Sequence, residues 1–179
     1  MGRGWTTAVI VWSAAAGGGT AWLWRAAAQA GEQSVARGWP AGSALNLDPS
    51  RITLVVFAHP ACQHAQSTMK ELAEVLAGRQ DRAVVHVIFA PGEKLEQSDA
   101  WQLAQKLEGA DVRVDPDGSE IHRFGARTSG QILAFDPRGT LLFRGGITAG
   151  RDRLVARLAG VASDLAQAPV FGCALTTDR

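Results

Sequence analysis

Hydrophobic residues fall into short, dense runs that are separated by stretches with helical spacing. Arg51–Ala58 and Ala83–Phe89 are rich in Val, Ile and Phe and are apolar on both faces, as expected for interior strands of a sheet. After each run, residues 63–77 and 97–107 place apolar side chains three or four positions apart, which is typical of helices that pack one face on a core. The first half of the chain therefore predicts alternating strands and helices.

The second half contains shorter elements, which we predict as a strand at 112–115, a helix at 120–124, strands at 131–135 and 140–144, and a closing helix at 151–165. The last two strands flank the turn Asp136-Pro137-Arg138-Gly139 and predict a β-hairpin. The complete order is β-α-β-α-β-α-β-β-α. It predicts an α/β domain with a central mixed β-sheet flanked by helices.

The N-terminal 25 residues do not fit this pattern. Gly4–Trp24 contains no charged residue and is flanked by Arg3 and Arg25, and its length suits a transmembrane helix. A cleaved signal peptide is the alternative, because Ala28-Gln29-Ala30 offers a cleavage site, although a signal core is usually shorter. We therefore predict an N-terminal transmembrane helix that anchors the protein in a membrane.

The chain divides into four predicted parts. Residues 1–25 form the anchor or signal segment, and residues 26–44, rich in Ala, Gly, Ser and Gln, form a linker. Residues 45–166 form the folded domain and residues 167–179 a C-terminal tail. A formal net charge of +1, without a basic run, gives no basis for nucleic-acid binding.

Cys62 is the strongest candidate for chemistry. It lies where the first strand ends and the first long helix begins, and the free N–H groups and positive dipole end of a helix favour a thiolate. His64 lies in the same first turn and could stabilise that thiolate as an imidazolium. A sulfur packed deep among apolar side chains would lack this reactivity, and a relic cysteine is the alternative interpretation.

The chain resembles the thioredoxin fold through a strand that leads directly to Cys62. The second half resembles membrane-anchored TlpA-like thioredoxins at Asp115–Gly118, Phe124–Arg127 and Phe135–Gly139. A narrower resemblance, to RedB-type thioredoxin-like proteins, is carried by His59-Pro60-x-Cys62, Thr128-Ser129-Gly130-Gln131 and Gly145-Gly146-Ile147-Thr148. The resemblance implies a thioredoxin-like fold, redox chemistry without a cofactor, and a periplasmic location.

The chain departs from these families at the residues that carry the chemistry. His64 and Ala65 occupy the positions where the families have a second cysteine, so the active-site turn contains no dithiol. Gly130 stands at the position of the cis-proline. By resemblance, Ser129 and Gly130 would form the backbone surface against which a substrate chain lies. The predicted chemistry is therefore single-cysteine exchange with a substrate protein or a small thiol.

Three alternatives stay open at this point. Cys173, in the tail, could fold back as a distant resolving thiol, since closing a long loop has a modest entropic cost. His59, Cys62 and His64 could instead bind copper or zinc, as in Sco-type copper chaperones, which use the same turn. The third alternative is a redox-inactive thioredoxin-fold interaction module, so the sequence leaves open whether the protein is an enzyme.

Overall fold

The computed structural model describes residue 12 and residues 29–34, 36–161 and 164–175. Within this part of the chain, one six-stranded sheet has the strand order β3-β2-β1-β4-β5-β6. The strands are β1 Ile52–Ala58, β2 Ala83–Phe89, β3 Ala110–Val114, β4 Gln131–Phe135, β5 Leu141–Gly146 and β6 Ala166–Gln167. β1 is parallel to β2 and antiparallel to β4, so the predicted mixed sheet is confirmed.

Helices lie on both faces of this sheet. The described α-helices are α1 Gln63–Leu76, α2 Asp99–Ala104, α3 Ser119–Arg123 and α4 Ile147–Leu158, and a short 3₁₀ turn, Leu95–Gln97, precedes α2. Side chains of α1, α2 and α4 pack with one face of β1, represented by Leu54 and Val56. The opposite face of β1, Val55 and Phe57, packs with residues of and after α3. Alternate side chains of β1 therefore enter two separate hydrophobic clusters.

Two helices differ from their predicted limits. The helix predicted at 97–107 begins later, because the Ser98 hydroxyl accepts a hydrogen bond from Trp101 N–H and caps the first turn of α2. The helix predicted at 151–165 begins directly after β5 and ends at Leu158. Gly160 N–H donates to Arg157 O and Val161 N–H to Ala156 O, the paired bonds of a Schellman motif. Gly160 was the signal for this helix end in the sequence.

The residues predicted as a linker pack against the domain. Trp39 makes edge-on contacts with Phe124 and Phe135, with ring centroids 5.2 Å apart in each pair. The Ser34 hydroxyl donates to the backbone oxygen of Phe124, and Trp39 N–H donates to Gly139 O at 2.8 Å. Residues 29–34 and 36–44 therefore form part of the folded unit.

The residues predicted as a tail also belong to the fold. Ala166–Gln167 forms β6, which is parallel to β5. Ala168 N–H continues this pairing with a hydrogen bond to Arg144 O at 3.0 Å. Val170 is fully buried, and Leu175 is buried in the cluster on the α3 face of the sheet. Residues 168–175 thus pass over the end of the domain that contains Cys62.

The predicted N-terminal anchor, residues 1–25, lies outside the described residues apart from residue 12. Among the residues that are described, none of the helices has the length and apolar character needed to cross a membrane. The transmembrane helix therefore stays a prediction from sequence.

Candidate functional site

Cys62 occupies the junction between β1 and α1. β1 ends at Ala58, and the turn that follows is closed by a bond from Cys62 N–H to His59 O at 3.0 Å. Cys62 is the N-cap residue of α1, with extended backbone angles and no side-chain cap bond. Its oxygen accepts the first bond of the helix, from Ala65 N–H at 3.0 Å. The sequence prediction that Cys62 begins the helix is confirmed, which places its side chain at the positive end of α1.

The loop before β4 is paired with the C-terminal segment of the same chain. Thr128 and Ala174 form an antiparallel bridge. Ser129 N–H donates to Cys173 O at 2.8 Å, and Leu175 N–H donates to Arg127 O at 2.9 Å. The surface that we predicted for a substrate chain, Ser129 and Gly130, is therefore covered in part by residues 173–175. This pairing brings Cys173 to Cys62.

Cys62 is only 2 % exposed and belongs to the hydrophobic cluster on the α1 face of the sheet, so its environment is partly the apolar one that would reduce reactivity. Its sulfur nevertheless also has hydrogen-bond donors nearby. Cys173 N–H donates to Cys62 Sγ at 3.3 Å. Burial raises the pKa of the Cys62 thiol, but hydrogen bonds from the Cys173 backbone, the Ser129 hydroxyl and the Cys173 thiol lower it. The backbone of Ala65 acts in the same direction, and the net pKa is below the ordinary cysteine value.

The pKa of the Cys173 thiol is shifted in the opposite direction, above the ordinary cysteine value. Its hydrogen bond to the Cys62 sulfur raises the pKa of Cys173, and partial burial and the charge of Cys62 act in the same direction. Cys173 is exposed, and both cysteines are free thiols in this structure. Of the two thiols, Cys62 therefore ionises at the lower pH.

Gly130 fits a backbone conformation that a proline cannot adopt. Its φ is +89°, in the region that favours glycine, and its N–H donates to Phe57 O at 2.8 Å. A Cβ at this position would lie 2.9 Å from Thr68 Oγ1. The neighbouring Ser129 is fully buried, and its hydroxyl accepts a hydrogen bond from His59 N–H at 2.9 Å. The loop is thus held in place by hydrogen bonds to β1 and the active-site turn.

The histidines predicted near Cys62 take separate positions. His64 has an exposed side chain and is not among the groups that lower the pKa of Cys62, so its electrostatic role stays a prediction. His59 Nδ1 accepts a hydrogen bond from Ala61 N–H at 3.2 Å, which uses that ring nitrogen within the turn. Across the described residues, no group of three or more His, Cys, Asp and Glu side chains could hold a metal ion. His59, Cys62 and His64 are therefore not assembled as a ligand set.

A shallow groove of about 150 Å³ runs beside the active-site turn. It lies between Pro60 and Cys62 on one side and Ser98 and Asp99, at the start of α2, on the other. Gln66 and Asp99 both line the groove, and Gln66 Nε2 donates to Asp99 Oδ2 at 2.9 Å. The groove has room for a small side chain or a small thiol next to the turn.

Sequence reasoning identified both cysteines but not the interaction that joins them. The available signal was Gly172. A Cβ on Gly172 would lie 2.0 Å from Ser129 O, so only glycine allows the C-terminal segment to approach the loop this closely. The sequence resemblance predicts a role only for the backbone of Ser129, whereas in the structure its hydroxyl also contributes to the lowered pKa of Cys62. Its contact with Cys62 depends on a loop that is more than sixty residues away along the chain.

The lowered pKa of Cys62 predicts its alkylation profile. Because the thiolate persists at lower pH, we expect the alkylation rate of Cys62, followed by peptide mass, to reach half its plateau below the ordinary cysteine value of about 8.5. Ser129→Ala removes one donor to the thiolate and should move this midpoint upward. Ser50→Ala, which removes an exposed hydroxyl before β1, is the control and should leave it unchanged. A midpoint at or above the ordinary value in the native chain would refute this assignment.

Comparison with known proteins defines the fold. No protein-family model matches the chain, and no curated protein matches it. Among solved structures, an uncharacterised conserved protein from Geobacillus kaustophilus superposes with a TM-score of 0.61 at 16 % identity, covering 84 % of this chain and 97 % of that one. An exposed lipoprotein thioredoxin from Streptococcus pneumoniae strain TIGR4 superposes with a TM-score of 0.50 at 21 % identity, covering 73 % and 99 %.

A secreted Mycobacterium tuberculosis disulfide oxidoreductase, described as homologous to E. coli DsbE, also superposes. Its TM-score is 0.50 at 16 % identity, and the alignment covers 64 % of this chain and 84 % of that one. These similarities, with the strand order and the cysteine at the start of α1, identify a thioredoxin-like fold. The chain therefore has the thioredoxin-like fold that the sequence resemblance implied.

Proposed function

We propose that this protein is a membrane-anchored, extracytoplasmic thiol–disulfide oxidoreductase whose redox pair is Cys62 and Cys173. The observation that carries the proposal is the hydrogen bond from Cys173 N–H to Cys62 Sγ at 3.3 Å, between residues 111 positions apart. Each thiol also shifts the pKa of the other, which supports their proximity.

The chemistry of the pair follows from its two different thiols. Cys62 has the lower pKa of the two thiols, so it is the sulfur that carries negative charge more readily. The second sulfur, which related folds place inside the active-site turn, is supplied here by the C-terminal segment. Forming the Cys62–Cys173 disulfide releases two protons and two electrons, and the electrons pass to the disulfide of a substrate protein or small molecule.

The location belongs to the same proposal. The uncharged run Gly4–Trp24 supports an N-terminal anchor, and the similarity to a secreted oxidoreductase and an exposed lipoprotein thioredoxin supports a domain outside the cytoplasm. An oxidising compartment allows a disulfide of this kind to persist. The partners proposed are the membrane, through the N-terminal segment, and a substrate protein or small thiol. No cofactor is needed, because both sulfurs belong to the chain.

Oxidation of the purified full chain tests the proposed pair. With oxidised glutathione, we expect complete loss of alkylatable thiol and a cross-linked peptide pair containing Cys62 and Cys173. Cys62→Ser and Cys173→Ser should each prevent the cross-link and reduce turnover of a dithiol substrate by at least about 100-fold, because neither variant can close the internal disulfide. The proposal would be overturned if Cys62 and Cys173 both stayed free thiols at a glutathione potential that oxidises a glutaredoxin-type dithiol.

A further inference from the structure

The two cysteine residues of this pair differ in solvent exposure. Cys62 exposes 2 % of its surface, whereas Cys173 is exposed. The C-terminal segment itself contributes to the cover over Cys62, because the Cys173 N–H lies 3.3 Å from the Cys62 sulfur. That segment is fixed by the bonds of Ser129 N–H to Cys173 O and of Leu175 N–H to Arg127 O. Because Cys173 is the exposed residue of the pair, we expect an external thiolate to reach it more readily than Cys62.

The surroundings of the two sulfurs also give a disulfide between them a direction. An attacking thiolate expels the partner sulfur, and the sulfur with the lower thiol pKa leaves faster. Hydrogen bonds to the Cys62 sulfur lower the pKa of Cys62. The contact between the two cysteine side chains raises the pKa of Cys173. The Ser129 hydroxyl and the Cys173 N–H are already placed to stabilise negative charge on the Cys62 sulfur. Attack at Cys173 therefore combines the accessible sulfur with the better leaving group.

We propose that Cys173 is the sulfur that exchanges with the substrate, and that Cys62 is the internal partner that leaves and returns as a thiolate. This inference rests on the Cys62–Cys173 redox pair proposed above. It reverses the roles suggested by sequence, in which the cysteine at the start of α1 attacks the substrate and a second thiol resolves the mixed disulfide. Cys173 is then a catalytic residue, and the C-terminal segment presents it at the surface.

The exchange balances in both directions. A substrate thiolate attacks Cys173 Sγ, the Cys62–Cys173 bond breaks, and Cys62 leaves as a thiolate while a substrate–Cys173 disulfide forms. A second substrate thiolate attacks the substrate sulfur of this mixed disulfide and releases the Cys173 thiolate, which takes a proton from water. The substrate dithiol is oxidised by two electrons, and the protein disulfide is reduced by two. The reverse steps reduce a substrate disulfide.

Trapping the first intermediate tests the inference. The full chain, with its Cys62–Cys173 disulfide verified by mass, is treated briefly with reduced glutathione and quenched with N-ethylmaleimide. We expect glutathione on Cys173 and maleimide on Cys62, in at least about tenfold excess over the reverse pattern, because access and leaving-group acidity act together. A majority of glutathione on Cys62 would overturn the assignment. Failure of the disulfide to form would instead refute the proposed redox pair, so the two failures are distinguishable.

The single-cysteine variants separate access from intrinsic reactivity. In the Cys62→Ser variant the reacting thiol is Cys173, and in the Cys173→Ser variant it is Cys62. Oxidised glutathione should modify the first variant at least about tenfold faster than the second. Thiolate content alone predicts the opposite order at neutral pH, because Cys62 has the lower pKa. In urea the difference should disappear, since both thiols are then accessible. Equal or reversed rates in the folded variants would contradict the proposal.

Discussion

Gly172→Ala is expected to slow closure of the Cys62–Cys173 disulfide by at least about tenfold, which corresponds to a displacement penalty of about 1.4 kcal/mol or more. A Cβ on Gly172 would lie 2.0 Å from Ser129 O and 3.0 Å from Ser129 C. These are backbone atoms of a loop fixed by hydrogen bonds, so the C-terminal segment must move instead. Once it moves, the effective concentration of Cys173 at Cys62 falls.

The measurement is the rate at which oxidised glutathione closes the disulfide, followed by acid quenching and peptide mass. Ala174→Ser is the matched control, because Ala174 is exposed and adjacent to Cys173, and its closure rate should equal that of the native chain. The thermal transition of Gly172→Ala should remain cooperative, since the hydrophobic clusters on both faces of the sheet keep their residues. Closure of Gly172→Ala at the native rate would show that the segment does not need this close approach.

Phe124→Ala is expected to lower the free energy of unfolding by about 3–5 kcal/mol. Phe124 is fully buried, and its ring packs against Trp39, Phe57 and Phe135 with centroid distances between 5.2 and 5.9 Å. Removing the ring leaves a cavity and also removes the aromatic contact that joins the N-terminal segment to the sheet. Because the segment contributes Trp39 to this cluster, its protection from proteolysis should fall together with stability.

Urea unfolding of the full chain, followed by circular dichroism, measures this loss. Val161→Ala is the control, since Val161 is 77 % exposed and its truncation should change stability by less than about 0.5 kcal/mol. A loss below about 1 kcal/mol for Phe124→Ala would mean that the aromatic cluster is not a main support of this face.

The sheet could be predicted from sequence because its strands are marked by composition. β1 and β2 are uninterrupted runs of strand formers, and both were predicted within one residue of their observed limits. The same holds for β4, which precedes a clear turn. Helix limits were harder to predict, because apolar spacing continues beyond the residues where capping ends the helix. α4 ends at Leu158, although Val161 and Leu165 extend the apolar pattern.

Of the two cysteines in the candidate site, only the position of Cys62 could be predicted from local sequence. Cys62 was identified because a strand, a turn and a helix are contiguous in sequence around it. Cys173 was recognised as a possible partner, but its approach depends on contacts with Ser129 and Thr128 that are formed only when the chain is folded. The sequence gives no local pattern for such pairing, apart from a glycine whose reason becomes visible in the structure.

The pairing of β5 with β6 has a further consequence for the solution behaviour of the protein. β6 is only two residues long, but backbone bonds from Ala168 and Gly146 continue along the same border, and Gly31 N–H donates to Val170 O beside it. The C-terminal residues thus occupy hydrogen-bonding groups that could otherwise recruit strands from other molecules into aggregates. We therefore expect removal of residues 166–175 to expose the edge of β5 and to increase aggregation of the domain.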